Sequence, residues 1–234
     1  MRIFLRKLLL GKPIINEQPP PRAIDKRIKN IKAIWNNEQH DDIGIEKVLR
    51  LFLAISQFFF IGTYIKQIFS KKSIAYQDLS VDFFVLFKVI YPVFILYYHL
   101  QNQPILFALL IWFMVETILY VPTLIFASDI FSKPRSYRRS MLLLFLNYIE
   151  IVFDFAVIYS KSNYLNKEFG HWYDAIYFSV VSSATIGYGD FYPITLKGKI
   201  FVCLQSMIAL IFVVLFLNFF NNKVESSGYF NNQK

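Results

Sequence analysis

The sequence is poor in charged residues and in cysteine. Charged side chains make up 18% of its 234 residues, whereas a soluble domain carries about 25%. Cys203 is the single cysteine, which excludes a disulfide framework and a thiolate metal site. These shortages argue against a soluble globular enzyme, a disordered tail and a small secreted module held together by disulfides.

Hydrophobic residues make up 56% of the chain and are concentrated in long runs. Four runs of about 19 to 24 residues are long enough to cross a bilayer core of about 30 Å. They are residues 81–100, 104–127, 141–159 and 199–220. An earlier run, residues 49–69, is interrupted by polar side chains such as Gln57 and Lys66. The sequence therefore predicts an all-α integral membrane protein.

Positive charge is concentrated outside these runs. The net charge is +9, and cations that flank membrane spans orient the chain and attract anionic lipids. The basic, polar N-terminal region, residues 1–48, fits either a solvated tail or a basic helix at the membrane surface. We expect no cleaved signal peptide, because Arg6 and Lys7 interrupt its first apolar run.

The strongest functional signal is the hexapeptide TIGYGD, residues 185–190. It follows a short apolar run, residues 172–183, and lies between two runs that are long enough to span. Non-helical backbone at this depth is tolerated only where it is buried in protein or lines water, so the pattern predicts a re-entrant loop. Gly187 and Gly189 allow carbonyls to turn toward one axis, and the Thr185 hydroxyl adds another oxygen. Repeated about a symmetry axis, these oxygens can replace the hydration shell of a cation.

The hexapeptide resembles the selectivity filter of potassium channels, with Ile186 where valine is usual. The resemblance covers about residues 141–222 and implies an outer helix, a pore helix, a filter and an inner helix, preceded by two or three further hydrophobic helices. It also implies that backbone carbonyls bind K+, together with the Thr185 hydroxyl. The implied ion-binding residues are Thr185, Ile186, Gly187, Tyr188 and Gly189, with K+ at the first four.

The resemblance further implies that some side chains support the filter from behind. These are Asp190, Tyr177, Phe178 and Trp172, although the two middle residues also fit plain packing roles. Many potassium channels pair the filter aspartate with a pore-helix glutamate, and Val181 stands at that position here. We therefore expect Asp190 to accept a hydrogen bond from Trp172 or Tyr173.

The inner helix departs from the family pattern as well. Ala209 stands where many relatives carry a hinge glycine, so it is the candidate gating hinge, and a sharp bend there is in doubt. Gln205 and Ser206 are the polar residues of this run. One of them either faces a water-filled cavity or forms a hydrogen bond between helices.

Four charged residues fall inside the predicted spans, where an unpaired charge costs about 2.5 to 3.5 kcal/mol or more. They are Lys88, Glu116, Glu150 and Asp154. Their predicted depths suggest a buried cluster, acting either in gating or pH sensing or as a structural ion pair. Strong voltage gating is not expected, because Arg135, Arg138 and Arg139 lie in a polar segment rather than a span.

The pore arrangement orients the rest of the chain. It makes a basic linker, residues 128–140, and a short tail, residues 223–234, cytoplasmic, with membrane helices at 49–127 and the pore domain at 141–222. If residues 49–69 also span, the basic N-terminus lies outside, against the positive-inside rule. That run is therefore either an interfacial segment or an exception to the rule.

The sequence as a whole predicts a potassium-selective channel that conducts passively as a homotetramer in the plasma membrane, contacting lipids that include anionic ones. We expect no enzymatic activity, no organic cofactor, no nucleic acid partner and no small-molecule substrate. The alternatives are a non-conducting subunit of a channel complex and a weakly selective cation channel.

Overall fold

The computed structural model describes residues 23–38, 41–69, 74–127, 137–161 and 163–221. Within them the protein is all-α, as predicted, and the one extended pairing is an isolated bridge between Leu165 and Pro193. The α-helices are α1 (Ala23–Trp35), α2 (Gly44–Ser56), α3 (Ile61–Phe69), α4 (Ile74–Tyr97), α5 (Pro104–Phe126), α6 (Tyr137–Ser160), α7 (Trp172–Ser183) and α8 (Leu196–Asn221).

Four of the described helices are long and apolar enough to cross a membrane, which makes this a multi-pass membrane protein. The segments that pass are Ala75–Tyr97, Pro104–Phe126, Arg138–Ser160 and Leu196–Leu217. α4 and α6 begin earlier than the apolar runs predicted, because polar residues such as Gln77 and Arg138 continue the helices beyond their apolar parts.

The run at residues 49–69 is not one straight helix. Its helices Gly44–Phe59 and Ile61–Phe69 together pass the same test for a span, but they are bent by 62° around Phe60. A bent pair of this kind is either a broken span or a re-entrant loop. The described residues therefore contain four helices that could cross a membrane, or five possible spans if the bent pair counts as one.

The first of two compact units contains α1 to α3, the start of α4 and the end of α5. α1 packs against α2 and α3, and its Ile34 lies in a small apolar cluster with Ala54 and Ala127. Arg50 of α2 is buried and donates from Nη1 to both carboxylate oxygens of Asp42, at 2.5 and 2.6 Å. A buried arginine is tolerated when a carboxylate pairs with it in this way.

The second unit contains the tip of the α4–α5 hairpin and helices α6, α7 and α8, the last three of which pack against one another. At the tip, His99 adopts a left-handed φ of +54°. The N–H of Leu100 donates to the carbonyl of Ile95 at 2.9 Å, a bond that commonly ends a helix. The Tyr91 hydroxyl donates to the Leu106 carbonyl at 2.9 Å, so the two helices form an antiparallel hairpin.

Gly198, in the first turn of α8, allows a close approach of two segments in this unit. A Cβ there would lie 2.8 Å from the Tyr164 carbonyl oxygen and 3.2 Å from Cβ of Pro193. The same carbonyl accepts a hydrogen bond from the N–H of Ile194 at 3.0 Å. The crowded atom is therefore backbone that is already fixed by a hydrogen bond, and it cannot move away cheaply.

We expect Gly198→Ala to lower the free energy of unfolding by about 1 to 3 kcal/mol, the usual cost of overpacking. The measurement is the thermal unfolding midpoint of the purified protein in detergent. Gly170→Ala is the matched control, because a Cβ there meets only the Asp174 carboxylate, at 3.7 Å. Equal midpoints for the two variants would contradict the steric explanation.

Candidate functional site

The candidate site begins at the N-terminus of α7, which is closed by a capping box. The backbone N–H of His171 donates to Oδ2 of Asp174 at 2.9 Å, and Nδ1 of His171 accepts from the N–H of Tyr173 at 3.3 Å. Such bonds satisfy N–H groups that a helix start leaves without partners. α7 therefore begins at Trp172, where the apolar run begins.

α7 ends in hydrogen bonds that lead directly into residues 185–190. The N–H of Ile186 donates to the Val181 carbonyl at 3.0 Å, and the N–H of Thr185 donates to the Ser182 carbonyl at 3.2 Å. Thr185 has a φ of +57°, the left-handed position that glycine usually occupies after a helix. This conformation costs an L-residue about 1 to 2 kcal/mol. The hydrogen bonds that end α7 therefore hold Thr185 in its left-handed conformation, and this conformation sets the direction in which the chain leaves the helix.

The sign of φ alternates along the residues that follow. Gly187 and Gly189 have φ values of +59° and +83°, and neither Ile186 nor Tyr188 has a positive φ. All of residues 184–190 are exposed in the single chain, including the Tyr188 side chain at 69%. The predicted ion-binding residues therefore form one strand-like segment whose surface this chain alone does not cover.

Tyr177 of α7 is the predicted support residue that lies next to this segment. Its ring is parallel to that of Tyr188, with centroids 6.5 Å apart, and its hydroxyl lies close enough to the Asp190 carboxylate for the two groups to interact electrostatically. Tyr177, one helical turn beyond Tyr173, is therefore a further candidate to support Asp190. A hydrogen bond to Asp190 from Trp172 or Tyr173 stays a prediction.

The other two predicted support residues lie farther from the hexapeptide. The Phe178 ring packs against Tyr159 of α6, at 4.9 Å, and against Phe191, at 6.3 Å between centroids. Trp172 packs against Tyr97 at the hairpin tip, at 5.7 Å. Phe178 therefore joins α7 to α6, and Trp172 joins the start of α7 to the hairpin.

The sequence analysis missed Asn166, which holds the chain just after the hexapeptide. Its backbone N–H donates to the Tyr192 carbonyl, and its side-chain oxygen accepts from the Tyr192 N–H, both at 3.0 Å. Its Nδ2 also donates to the Asp190 carbonyl at 3.3 Å. Nothing local distinguishes Asn166 from other polar loop residues, because its partners are 24 and 26 residues away.

The structure decides between the two roles left open for Gln205 of α8. Its side chain is 1% exposed and bonds to α6 and α7 through Tyr159, Ser179 and Ser183. Gln205 therefore joins helices rather than facing a cavity. Ala209 is also buried, at 6% exposure, and α8 continues through it as one helix, so its role as a hinge stays a prediction.

Glu116 of α5 lies at the break between α2 and α3. Its carboxylate accepts hydrogen bonds from the N–H groups of Ile61 and Gly62, at 3.0 and 3.2 Å. One turn earlier, the Trp112 indole N–H donates to the Phe59 carbonyl at 3.0 Å. Backbone groups freed by a break at membrane depth need such partners. The bent pair is therefore stabilised from outside by two residues of α5.

The predicted cluster of charges is divided between the two compact units. Lys88 and Glu116 belong to the first, where both are buried, Lys88 bonds to the Thr117 hydroxyl, and its charge acts on the Glu116 carboxylate. Glu150 and Asp154 belong to the second, where both are buried on α6. Lys88 and Glu116 thus lie close enough for their charges to interact, and the predicted cluster stays a prediction.

Comparison with known proteins matches about a third of the chain. Residues 147–226 match a family model described as ion channel. Similar proteins include potassium voltage-gated channel subfamily A member 6 of Mus musculus and member 2 of Xenopus laevis, each 33% identical over 81 residues. The alignment covers 34% of this chain and 15% to 16% of those relatives, so the chain spans a small part of their length. No solved structure is significantly similar.

Proposed function

We infer the function from the premise that this chain carries a pore domain of the potassium channel family, to which its residues 147–226 belong. We propose that the chain is a potassium-selective channel of the plasma membrane and that K+ crosses it passively. The ion-binding segment is residues 185–189, with K+ held by the carbonyls of Thr185, Ile186, Gly187 and Tyr188.

The alternation of φ over residues 185–189 is the observation that carries this proposal. Alternation between left- and right-handed conformations can turn like peptide groups toward one side of the chain, and we propose that the groups turned inward here are carbonyls. A row of carbonyl oxygens supplies what a dehydrated cation needs. Glycine at two of the three left-handed positions supports this geometry at little cost.

The exposure of the same segment supports assembly of four copies. One chain supplies one row of carbonyls, and a closed ring of rows requires rotational symmetry. α8 also leaves much of its apolar surface uncovered, with Met207, Leu210 and Val214 between 59% and 63% exposed. A C4 homotetramer would cover such a surface at its centre and present the remaining apolar helices to lipid.

The N-terminal helix α1 supports anionic lipid as a further partner. Its Lys29 and Lys32 are exposed, while Ile34 is buried against α2. Trp35, at 68% exposure, lies under the ammonium of Lys47 at 6.0 Å. Tryptophan and lysine together are typical of the membrane interface, so this face is suited to acidic headgroups.

The test of the channel proposal is ion flux through purified protein in liposomes. With a K+ gradient we expect a flux that exceeds the Na+ flux by at least about tenfold, as a carbonyl filter requires. Crosslinking in the same sample should stop at four subunits. Equal K+ and Na+ flux would instead favour a weakly selective channel, and no flux at all would favour a silent subunit.

A further inference from the structure

A buried set of hydrogen bonds joins all three pore helices next to the filter. We call it the Gln205 network, and it contains Gln205 of α8, Ser179 and Ser183 of α7, Tyr159 of α6 and the Val152 carbonyl of α6. Gln205 and Tyr159 are each 1% exposed, and Ser179 is fully buried. A polar network in such a place is costly unless its members are all satisfied.

The Gln205 amide is satisfied on both sides. Its Nε2 donates to the Ser179 carbonyl at 3.0 Å and to the hydroxyls of Ser179 and Ser183 at 2.7 and 2.6 Å. Its Oε1 accepts from the Tyr159 hydroxyl at 2.6 Å. Because a carbonyl cannot donate, the opposite amide orientation would place two acceptors together at Ser179. Glutamine thus provides the donor and the acceptor that this position needs.

The two serines link the amide to the backbone of α6 and to the end of α7. The Ser179 hydroxyl donates to the Val152 carbonyl at 2.5 Å. Ser183 lies in the last turn of α7, two residues before Thr185. A displacement of α8 at Gln205 therefore acts on the turn from which the filter starts.

We propose that Gln205 is a positioning residue that couples the position of the inner helix to the conformation of the filter. The inference rests on the channel function proposed above. Movement of α8 that breaks the Gln205 bonds frees the last turn of α7, and the strained Thr185 then relaxes and loses its place in the carbonyl row. Conduction is thereby controlled at the filter through a contact between helices, with no bend required at Ala209.

The first test compares Gln205→Leu with wild type in the liposome assay. Leucine is of similar size but makes no hydrogen bond, so we expect the K+ over Na+ permeability ratio to fall about tenfold or more, as for loss of several buried bonds. Tyr159→Phe should shift the ratio in the same direction by less. Ser206→Ala, at the adjacent polar residue of the same helix, is the control and should leave the ratio unchanged.

The second test uses a single preparation of Gln205→Glu at different pH values. A protonated carboxyl group accepts from Tyr159 and donates to Ser179, as the amide does, whereas the ionised form cannot donate. Selective flux should therefore be close to wild type at acidic pH and be lost at alkaline pH. The native titratable groups around the network include its own Tyr159, the nearby Tyr148 and Cys203, and the buried Glu150 and Asp154 of α6, each two residues from Val152. The wild-type pH series controls for them.

The outcomes separate this inference from the channel proposal. If wild type shows no selective K+ flux, both fail. If wild type is selective, two results would show that the coupling role alone is wrong. One is that Gln205→Leu assembles with an unchanged permeability ratio, and the other is that Gln205→Glu shows the pH profile of wild type. A residue that serves only assembly would lower the amount of tetramer without changing the ratio.

Discussion

Gly187→Ala is expected to slow selective K+ flux about 100-fold while the protein still folds and assembles. The backbone cost is modest, because an alanine at a φ of +59° loses only about 1 to 2 kcal/mol. The larger effect is on the ion. A Cβ at Gly187 meets no atom of its own chain within 4 Å, so in the proposed tetramer its neighbours would be filter residues of the other subunits, whose carbonyls it would displace. If losing one carbonyl raises the free-energy barrier to K+ crossing by about 3 kcal/mol, K+ crosses about 100-fold more slowly.

Gly44 offers a closely matched control for this substitution. Its φ is +61°, and a Cβ there also meets nothing within 4 Å, but it lies at the start of α2, outside the pore region. Gly44→Ala therefore carries the same backbone cost without a place in the filter. Tetramer stability and the K+ and Na+ fluxes should be measured for both variants. Equal loss of flux from the two would show that backbone strain, and not ion binding, explains the result.

The order of the helices could be predicted from the sequence because each signal is local. Hydropathy marks the apolar part of a span, and the predicted bounds of α7, residues 172–183, agree with the structure. The hydropathy signal ends where polar residues begin, although a helix does not. α4 therefore begins at Ile74, ahead of the predicted 81, and α8 at Leu196, ahead of 199.

Features that depend on distant partners could not be predicted. The break at Phe60 has no proline to mark it, and it is stabilised by Trp112 and Glu116, more than 50 residues away. Asn166 and Gln205 are likewise defined by bonds across more than 20 residues. A β-branched residue disfavours positive φ, so the left-handed conformation of Thr185 runs against its local preference.

Glu116→Leu is expected to destabilise the bent pair of helices strongly. The substitution removes two hydrogen bonds from a charged acceptor to Ile61 and Gly62, each contributing about 1.5 to 3 kcal/mol. It also removes the carboxylate whose charge acts on the buried Lys88. Hydrogen exchange at the two N–H groups should become fast, and the unfolding midpoint should fall. Glu46→Gln, which removes an exposed carboxylate from the first turn of α2, should change neither.

A double-mutant cycle with Lys88 separates charge pairing from capping. Glu116→Gln keeps one acceptor for the N–H groups but removes the negative charge, and Lys88→Met removes the positive charge from the same buried site. Each single variant leaves an uncompensated charge, whereas the double variant leaves none. We therefore expect the double variant to be more stable than the sum of the single losses predicts, by about 1 to 3 kcal/mol. Strict additivity would mean that Glu116 acts on α3 through its hydrogen bonds alone, with Lys88 balanced by other groups. If the unfolding free energies are not additive but all three variants keep wild-type K+ selectivity, the pair serves the structure rather than gating.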